Sequence, residues 1–394
     1  MTTVLVTGNL GYNGAGVVRT LREAGHHVVG VDTEYFRAKL YDDGLFQPDE
    51  QLRKDVRRMT ADDLTGIDTI VHLAGLSNDA LGEIDPCLTN EINADATLTL
   101  ARLAKSNGVR KFIFVSSCSI YGIHDPKEMA TEDSPVAPLT AYARAKVDAE
   151  NGLLPLHDPS FHVGIMRCAT MHGPAPRLRL DLVVNKFVAR ALAEGDVHTL
   201  SDGAPWRPLL SVDDFARITR RFVEHDLEHV VYNVGFDDEN HQVRDIARAV
   251  SDYLGVPLDI NPTPTPDERS YRVSFRRLRD EFPTLRPVLP LRNSIAALAA
   301  LYSVNGLTKE DFRGPSYVRM RTLRDLLERG ALTPSLYWSD ATSTHPSVPS
   351  SMGTHPLPQH ARDGAILPTS ARPIDAALPS LYEGSKEHPA LRAS

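Results

Sequence analysis

Residues 1–32 read MTTVLVTGNLGYNGAGVVRTLREAGHHVVGVD, and this stretch constrains the fold more tightly than any other. Val4, Leu5 and Val6 form a short apolar run of the kind buried on both faces of a parallel sheet. Gly8, Gly11 and Gly14 follow at once. Val17, Val18 and Leu21 then recur at helical spacing, Gly25 stops the helix, and Val28, Val29 and Val31 make a second buried strand. Strand, glycine turn, helix and strand make one right-handed unit of a doubly wound sheet. The glycines let the backbone approach a pyrophosphate, and the helix N-terminus offers it free N–H groups. Asp32 closes the second strand, where a carboxylate accepts hydrogen bonds from the adenosine ribose hydroxyls and repels a 2′-phosphate. The expected cofactor is therefore NAD rather than NADP. A tight turn would need glycine for structural reasons alone. The strand before it, the helix after it and the acid at the right distance make the pattern specific.

The chain has 394 residues, 42% of them hydrophobic, enough for more than one domain's worth of core. A net charge of −8 gives no general attraction to nucleic acid or an anionic membrane, so neither is an expected partner. An anionic substrate would need a local cluster of arginines. Cys87, Cys118 and Cys168 are odd in number and far apart, which fits a reducing, cytoplasmic compartment. No Cys-x-x-Cys or His-Glu-x-x-His spacing is present, so no metal is expected. The sequence starts on a strand rather than a signal peptide, and no run is long enough to span a membrane.

Taken in order, residues 33–49 read as a loop at the cofactor's adenine end, and Lys54-Asp55-Val56-Arg57 offers a further adenine contact. Residues 67–75 are a buried strand running into Leu73-Ala74-Gly75, small residues that admit close cofactor approach. Ser77, Asn78 and Asp79 follow into the ligand region. Residues 89–105 are helical by period, with Asn93 read as a structural residue. A strand over 111–115 leads to Ser116-Ser117-Cys118-Ser119-Ile120-Tyr121-Gly122, and a helix opens near Leu139 and runs to Leu154. Residues 161–168 make another strand. Helices are expected over 181–193, 241–254, 272–282 and 294–302, and a strand over 230–235. Residues 333–394 hold nine of the 28 prolines and four histidines with little apolar period, and read as a poorly ordered or surface-draped tail.

Tyr142 and Lys146 lie four apart, so on a helix they share a face. An ammonium beside a phenol favours the phenolate and lowers the tyrosine pKa, as a cationic nicotinamide would. This is a direct way to make tyrosine a general base. Ser117, at the C-terminal end of a strand, is placed to bond the oxygen that Tyr142 deprotonates.

With these motifs in place the chain resembles the extended short-chain dehydrogenase/reductases, in their nucleotide-sugar epimerase/dehydratase group. The resemblance rests on Thr7-Gly8 through Gly14, Asp32, His72-Leu73-Ala74-Gly75, Val115-Ser116-Ser117 with Ile120-Tyr121-Gly122, and Tyr142 with Lys146. It implies an α/β fold, a Rossmann-type doubly wound parallel sheet with a smaller α/β C-terminal substrate-binding region. Residues 1–175, with about 208–235, would hold NAD; 176–207 and 236–332 would hold substrate. Ser117, Tyr142 and Lys146 would be catalytic. Gly8, Leu10, Gly11, Tyr12, Asn13, Gly14, Asp32, Asp55, Val56, Leu73, Ala74, Gly75, Tyr142 and Lys146 would contact NAD. Ser77, Asn78, Ser117, Cys118, Ser119 and Thr170 would contact a nucleoside-diphosphate sugar. By position Asn185, Arg207 and Arg269 match the asparagine and arginines that grip its diphosphate, a role suited to the planar guanidinium fork. A homodimer through the helices at 89–105 and 139–154 is implied as well.

This chain also departs from that pattern. Family 4,6-dehydratases carry an Asp-Glu pair where this chain has Cys118 and Ser119, and a serine cannot be their base. Arg167-Cys168-Ala169-Thr170 lacks the usual asparagine, and His172 stands where tyrosine is usual. The expectation is an NAD-dependent 4-epimerase working through a transient 4-keto sugar. A decarboxylase, a dehydratase using Cys118, a net dehydrogenase or a 4-keto reductase would begin with the same oxidation. A non-catalytic NAD-binding regulator is the reading from another class.

Overall fold

The first unit forms as its spacing predicts. β1 (Thr3–Thr7) passes through the glycine turn into α1 (Tyr12–Glu23), and β2 (His27–Asp32) returns parallel to β1 with Thr7 opposite Val31. The computed structural model describes residues 1–36, 44–77, 79–83, 85–125, 127–263 and 269–339. Val17, Val18 and Leu21 of α1 are fully buried, each contributing about 1.5–3 kcal/mol. Gly25, at a φ of +82°, ends the helix in the left-handed conformation that glycine tolerates.

β3 (Glu50–Arg53), β4 (Thr69–His72), α2 (Ala96–Ser106), β5 (Lys111–Ser117), α3 (Ala141–Leu153) and β6 (His162–Cys168) follow. Next come β7 (Thr170–His172), α4 (Val183–Glu194), β8 (Val197–Thr199), β9 (Trp206–Ser211), α5 (Val212–Glu224) and β10 (Val231–Val234). β11 (Asn240–Gln242), α6 (Val243–Leu254), β12 (Leu258–Ile260), α7 (Leu291–Val304) and α8 (Arg319–Glu328) complete the set used below.

Seven parallel strands form one sheet in the order β10–β6–β5–β4–β1–β2–β3. The order reverses between β1 and β4, and in such sheets ligands bind outside the strands' carboxyl ends at that point. Alternation along the strands feeds two cores. Val4, Val6, Val71 and Ile113 pack with α1 and with Phe215, Ile218 and Phe222 of α5. Leu5, Ile70, Phe112 and Phe114 face the other way, onto Leu100 and Ala104 of α2 and Ala145, Ala149 and Leu153 of α3. A third core joins α4, α6 and α7 through Val184, Val188, Ile246, Val250, Ile295 and Leu298. Two small sheets, β7–β9–β11 and β8–β12, complete that smaller α/β region.

Several boundaries differ from the periodic reading. The helix expected over 89–105 is broken by a π turn at Glu91–Asp95. There the Asn93 amide accepts from Leu76 N at 2.8 Å and donates to Leu76 O at 3.1 Å. The helix expected over 272–282 shrinks to Arg276–Glu281, because Ser270 and Val273 bridge to Ile123 and Ala130 instead. Of the tail expected over 333–394, the described residues 333–339 are packed, with Leu336 buried and Trp338 beside it, and residues 340–394 lie outside the described residues.

Two buried histidines set the acid sensitivity. His72 bonds Thr7 Oγ1 at 2.8 Å and Thr97 Oγ1 at 2.9 Å, and His172 bonds Ser294 Oγ at 2.8 Å. Burial pushes each imidazole from the usual 6.5 down to about 3. A depressed native pKa gives stability that is full above 6.5 and is lost as pH falls toward 3. At pH 5 each histidine is expected to cost about 2 kcal/mol relative to pH 7. Denaturant unfolding of wild type and His172→Gln at both pH values checks this: the variant should lose less stability on acidification.

Candidate active site

A cavity of about 550 Å³ lies where the sheet order reverses, lined by the glycine turn and by the residues that end β2, β4 and β5. Gly8 has a φ of +71°, and a Cβ on Gly14 would sit 2.2 Å from Gly8 O, so this turn admits no side chain at either place. Gly11 caps α1 with no side-chain acceptor, leaving the first-turn amides to a ligand. Asn13 Oδ1 is buried and lacks a hydrogen-bond partner. Asp32 accepts from Leu10 N at 3.2 Å and Glu34 N at 2.7 Å. Burial raises its pKa against those two bonds and the charges of Arg319 and Arg177. A bare-backbone cradle, an orphaned acceptor and a carboxylate at the strand end fit a dinucleotide.

Across the cavity, Thr140 caps α3 through its bond from Ala143 N at 3.2 Å, which sets the rotation of the helix carrying Tyr142 and Lys146. Ser117 lies beside the Tyr142 phenol, close enough to favour its ionised form. Ser117 Oγ also accepts from Ser119 N at 3.1 Å, capping the short turn at Cys118–Tyr121. Lys146 is buried, donates to Val115 O at 2.7 Å and lies 5.8 Å from the Tyr142 ring centroid. Burial lowers its pKa to about 8. The lowered tyrosine pKa expected from the sequence is reversed in this structure. Burial is the largest influence and Asp79 adds to it, so the Tyr142 phenol is raised although Ser117 beside it acts the other way.

Most of the expected contacts converge on this one cavity: Gly8, Gly11, Tyr12, Asn13, Gly14, Asp32, Asp55, Val56, Leu73, Ala74, Gly75, Ser77, Ser117, Ser119, Tyr142, Lys146, Thr170, Arg207 and Arg269 line it. Leu10 is not in its wall, but its backbone N–H holds Asp32. Asp55 lines the cavity with its carboxylate held bidentately by Arg57, at 3.0 and 2.7 Å. Ser119 lines the cavity, and its Oγ is buried without a hydrogen-bond partner. Arg207 donates to Arg269 O at 2.5 Å, and Arg269 pairs with Asp79, which also accepts from Thr140.

Two expected substrate contacts do not reach the cavity. Asn185 is fully buried, and its amide is used by Gly173 N at 3.1 Å, Tyr12 OH at 3.0 Å and Arg179 O at 3.1 Å. It shapes the wall behind the glycine turn instead. Cys118 turns inward, 3.2 Å from Arg167 O, and burial raises its thiol well above the usual value. Cys118 is not part of the cavity lining. Asn78 lies outside the described residues, as does the 37–43 part of the loop expected at the adenine end. The sequence reading missed Thr33, Tyr35 and Phe36 as individual contacts, and Arg179, Asp181, Thr199, Tyr271 and Arg319 altogether. Arg179 had a local signal in the basic stretch 176–180; the others depend on packing between distant segments.

Residues 4–235 match the sequence model of the NAD dependent epimerase/dehydratase family. The chain belongs to that family. NAD is accordingly its cofactor. The chain is 29% identical over 291 residues to the UDP-glucose 4-epimerase of Mycolicibacterium smegmatis, covering 70% of this chain and 91% of that one. It is 27% identical over 282 residues to UDP-glucuronic acid decarboxylase 4 of Arabidopsis thaliana, covering 68% of this chain but 61% of that protein's length. Among solved structures it resembles MoeE5 in complex with UDP-glucuronic acid and NAD, with 26% identity and a TM-score of 0.67 over 76% of this chain and 99% of that one. It shares its fold with TunA, an NAD-dependent NDP-hexosamine 5,6-dehydratase, at a TM-score of 0.69 and 22% identity. The family's members thus differ in chemistry on one scaffold. Among the described residues no group of His, Cys, Asp or Glu could hold a metal, and no helix is long and apolar enough to cross a membrane.

Proposed function

We propose that this family member is an NAD-dependent 4-epimerase of a nucleoside-diphosphate sugar. The observation that supports it best is that Ser117, Tyr142 and Lys146 line the same cavity as the glycine turn and Asp32. When bound, NAD would supply the hydride acceptor and donor for the sugar's C4, and its positive charge would oppose the effect of burial on Tyr142. Tyr142 takes the proton of the 4-hydroxyl and returns it when the 4-keto sugar is reduced. Ser117 bonds the same oxygen and fixes its direction. Lys146, held by the Val115 carbonyl, brings positive charge to the phenol and the nicotinamide ribose. Arg207 and Arg269 hold the substrate diphosphate, and Ser119 and Thr170 contact the sugar. In this reading residues 1–175 with about 208–235 hold the cofactor, and 176–207 with 236–332 hold the substrate. A cytoplasmic location and a homodimer belong to the same proposal, and sedimentation of the purified protein would test the dimer.

The inward position of Cys118 argues against a dehydratase that uses it as acid or base. The assay is NMR of products from UDP-, dTDP-, GDP- and CDP-sugars, with enzyme shown to contain NAD. Inversion at C4 of at least one sugar is expected. Release of carbon dioxide or water, or accumulation of free NADH, in place of inversion would assign the decarboxylase, dehydratase or dehydrogenase reading.

A further inference from the structure

Residues 317–339 do not wander off the sheet; they are fastened to the segment that follows Asp32. Leu323 and Leu326 of α8, with Ala331, Leu332 and Leu336, pack against Tyr35, Leu76, Leu88 and Ile92. Trp338 Nε1 donates to Thr33 O at 2.7 Å, and Tyr35 OH donates to Leu336 O. The guanidinium of Arg53 lies 5.0 Å from the Trp338 ring centroid, and that of Arg57 3.9 Å from the Tyr337 ring. Thr33, Tyr35 and Phe36 themselves line the cofactor cavity beside Asp32. The segment therefore closes over the adenosine side of the cleft.

At the start of α8, Arg319 is 6% exposed and lines the same cavity. Its guanidinium lies 4.0 Å from the Phe36 ring centroid and within electrostatic reach of Asp32, Asp181, Arg177 and Arg179. Asp181 is already held bidentately by Arg179, at 3.0 and 2.9 Å. Asp32 is held by two backbone amides. Among the described residues no carboxylate comes within ion-pairing distance of Arg319, and burial with Arg179 beside it lowers its pKa to about 9. A buried guanidinium needs an anion. The anion that the neighbouring glycine turn and Asp32 admit is the diphosphate of a dinucleotide.

We propose that Arg319 contacts the ADP half of NAD, and that residues 317–339 form a clasp that slows cofactor exchange. This rests on the NAD assignment and is independent of which sugar reaction the enzyme performs. The test uses the full-length protein, with and without NAD, and three variants: Arg319→Met, Arg319→Lys and Trp338→Ala. Exchange of bound NAD is followed with isotopically labelled NAD and mass spectrometry, affinity by titration of the stripped protein, and stability by thermal unfolding. Arg319→Met should weaken NAD binding about 10- to 100-fold, the loss of a hydrogen bond to a charged group. It should shrink the NAD-induced rise in Tm while leaving the Tm of the stripped protein unchanged or higher. Arg319→Lys should recover part of the affinity. Trp338→Ala should speed exchange more than it weakens affinity, because a clasp slows entry and exit alike. Wild-type affinity and exchange in Arg319→Met, or a drop in the stripped protein's Tm with the NAD-induced rise intact, would overturn the proposal in favour of a structural arginine. Wild-type protein that binds no NAD would overturn the cofactor assignment itself.

Discussion

Tyr142→Phe is expected to lower kcat by about 10²- to 10⁴-fold while NAD content and fold stay intact. Tyr142 lies beside Ser117 and lines the cavity shared with the glycine turn. Other groups nearby are poorly placed to replace it. Cys118 points inward, Asp79 is engaged by Thr140 and Arg269, and the Lys146 ammonium is bonded to Val115 O at 2.7 Å. Phenylalanine keeps the ring and its packing, so a purely structural tyrosine would tolerate the change. Turnover of the best substrate, alongside NAD content after denaturation, separates the two cases. Activity within tenfold of wild type would remove Tyr142 as the base, and no effect on any activity would favour the regulator.

Breaking the ion pair under the catalytic helix should have the largest effect on stability. Arg167 on β6 donates to Glu150 on α3 from Nε at 3.0 Å and Nη2 at 2.8 Å, and both side chains are buried. Ser116 donates to the same carboxylate, and Arg167 Nη1 reaches Tyr121 OH at 3.2 Å and Glu132 O at 2.9 Å. Removing one partner leaves an uncompensated charge in the interior, a cost of roughly 3–5 kcal/mol. Arg167→Met is expected to show that loss in denaturant unfolding. The double variant Glu150→Leu/Arg167→Met should recover most of it, because no charge is then left buried. A loss as large in the double variant as in the single one would mean that packing, not charge, dominates. The pair has a functional place too. Tyr142, Lys146 and Glu150 recur every four residues, so one stripe of α3 presents the proposed base, its proposed cation and the anchor to β5 and β6.

The dinucleotide half was legible because its signals are local. Strand and helix periods, the glycines between them and Asp32 at the end of β2 all fall within 1–32, and each acts through its own element. Tyr142 and Lys146 were legible for the same reason, since a four-residue spacing fixes a shared helical face. What neighbouring structure does to those groups was not. Burial, which no spacing reports, raises Tyr142 where an adjacent ammonium alone would have lowered it.

The sequence by itself determined the parallel sheet, the glycine turn and the helix that carries Tyr142 and Lys146. Tertiary structure decided that Asn185 and Cys118 face away from the ligand, that Asp181 occupies Arg179, and that Arg319 returns to within reach of Asp32. The physical reason is distance along the chain. Which side of a helix or strand is apolar is written every two to four residues. Which polar group answers another 287 positions away, as Arg319 answers Asp32, is settled by how the covering segments pack.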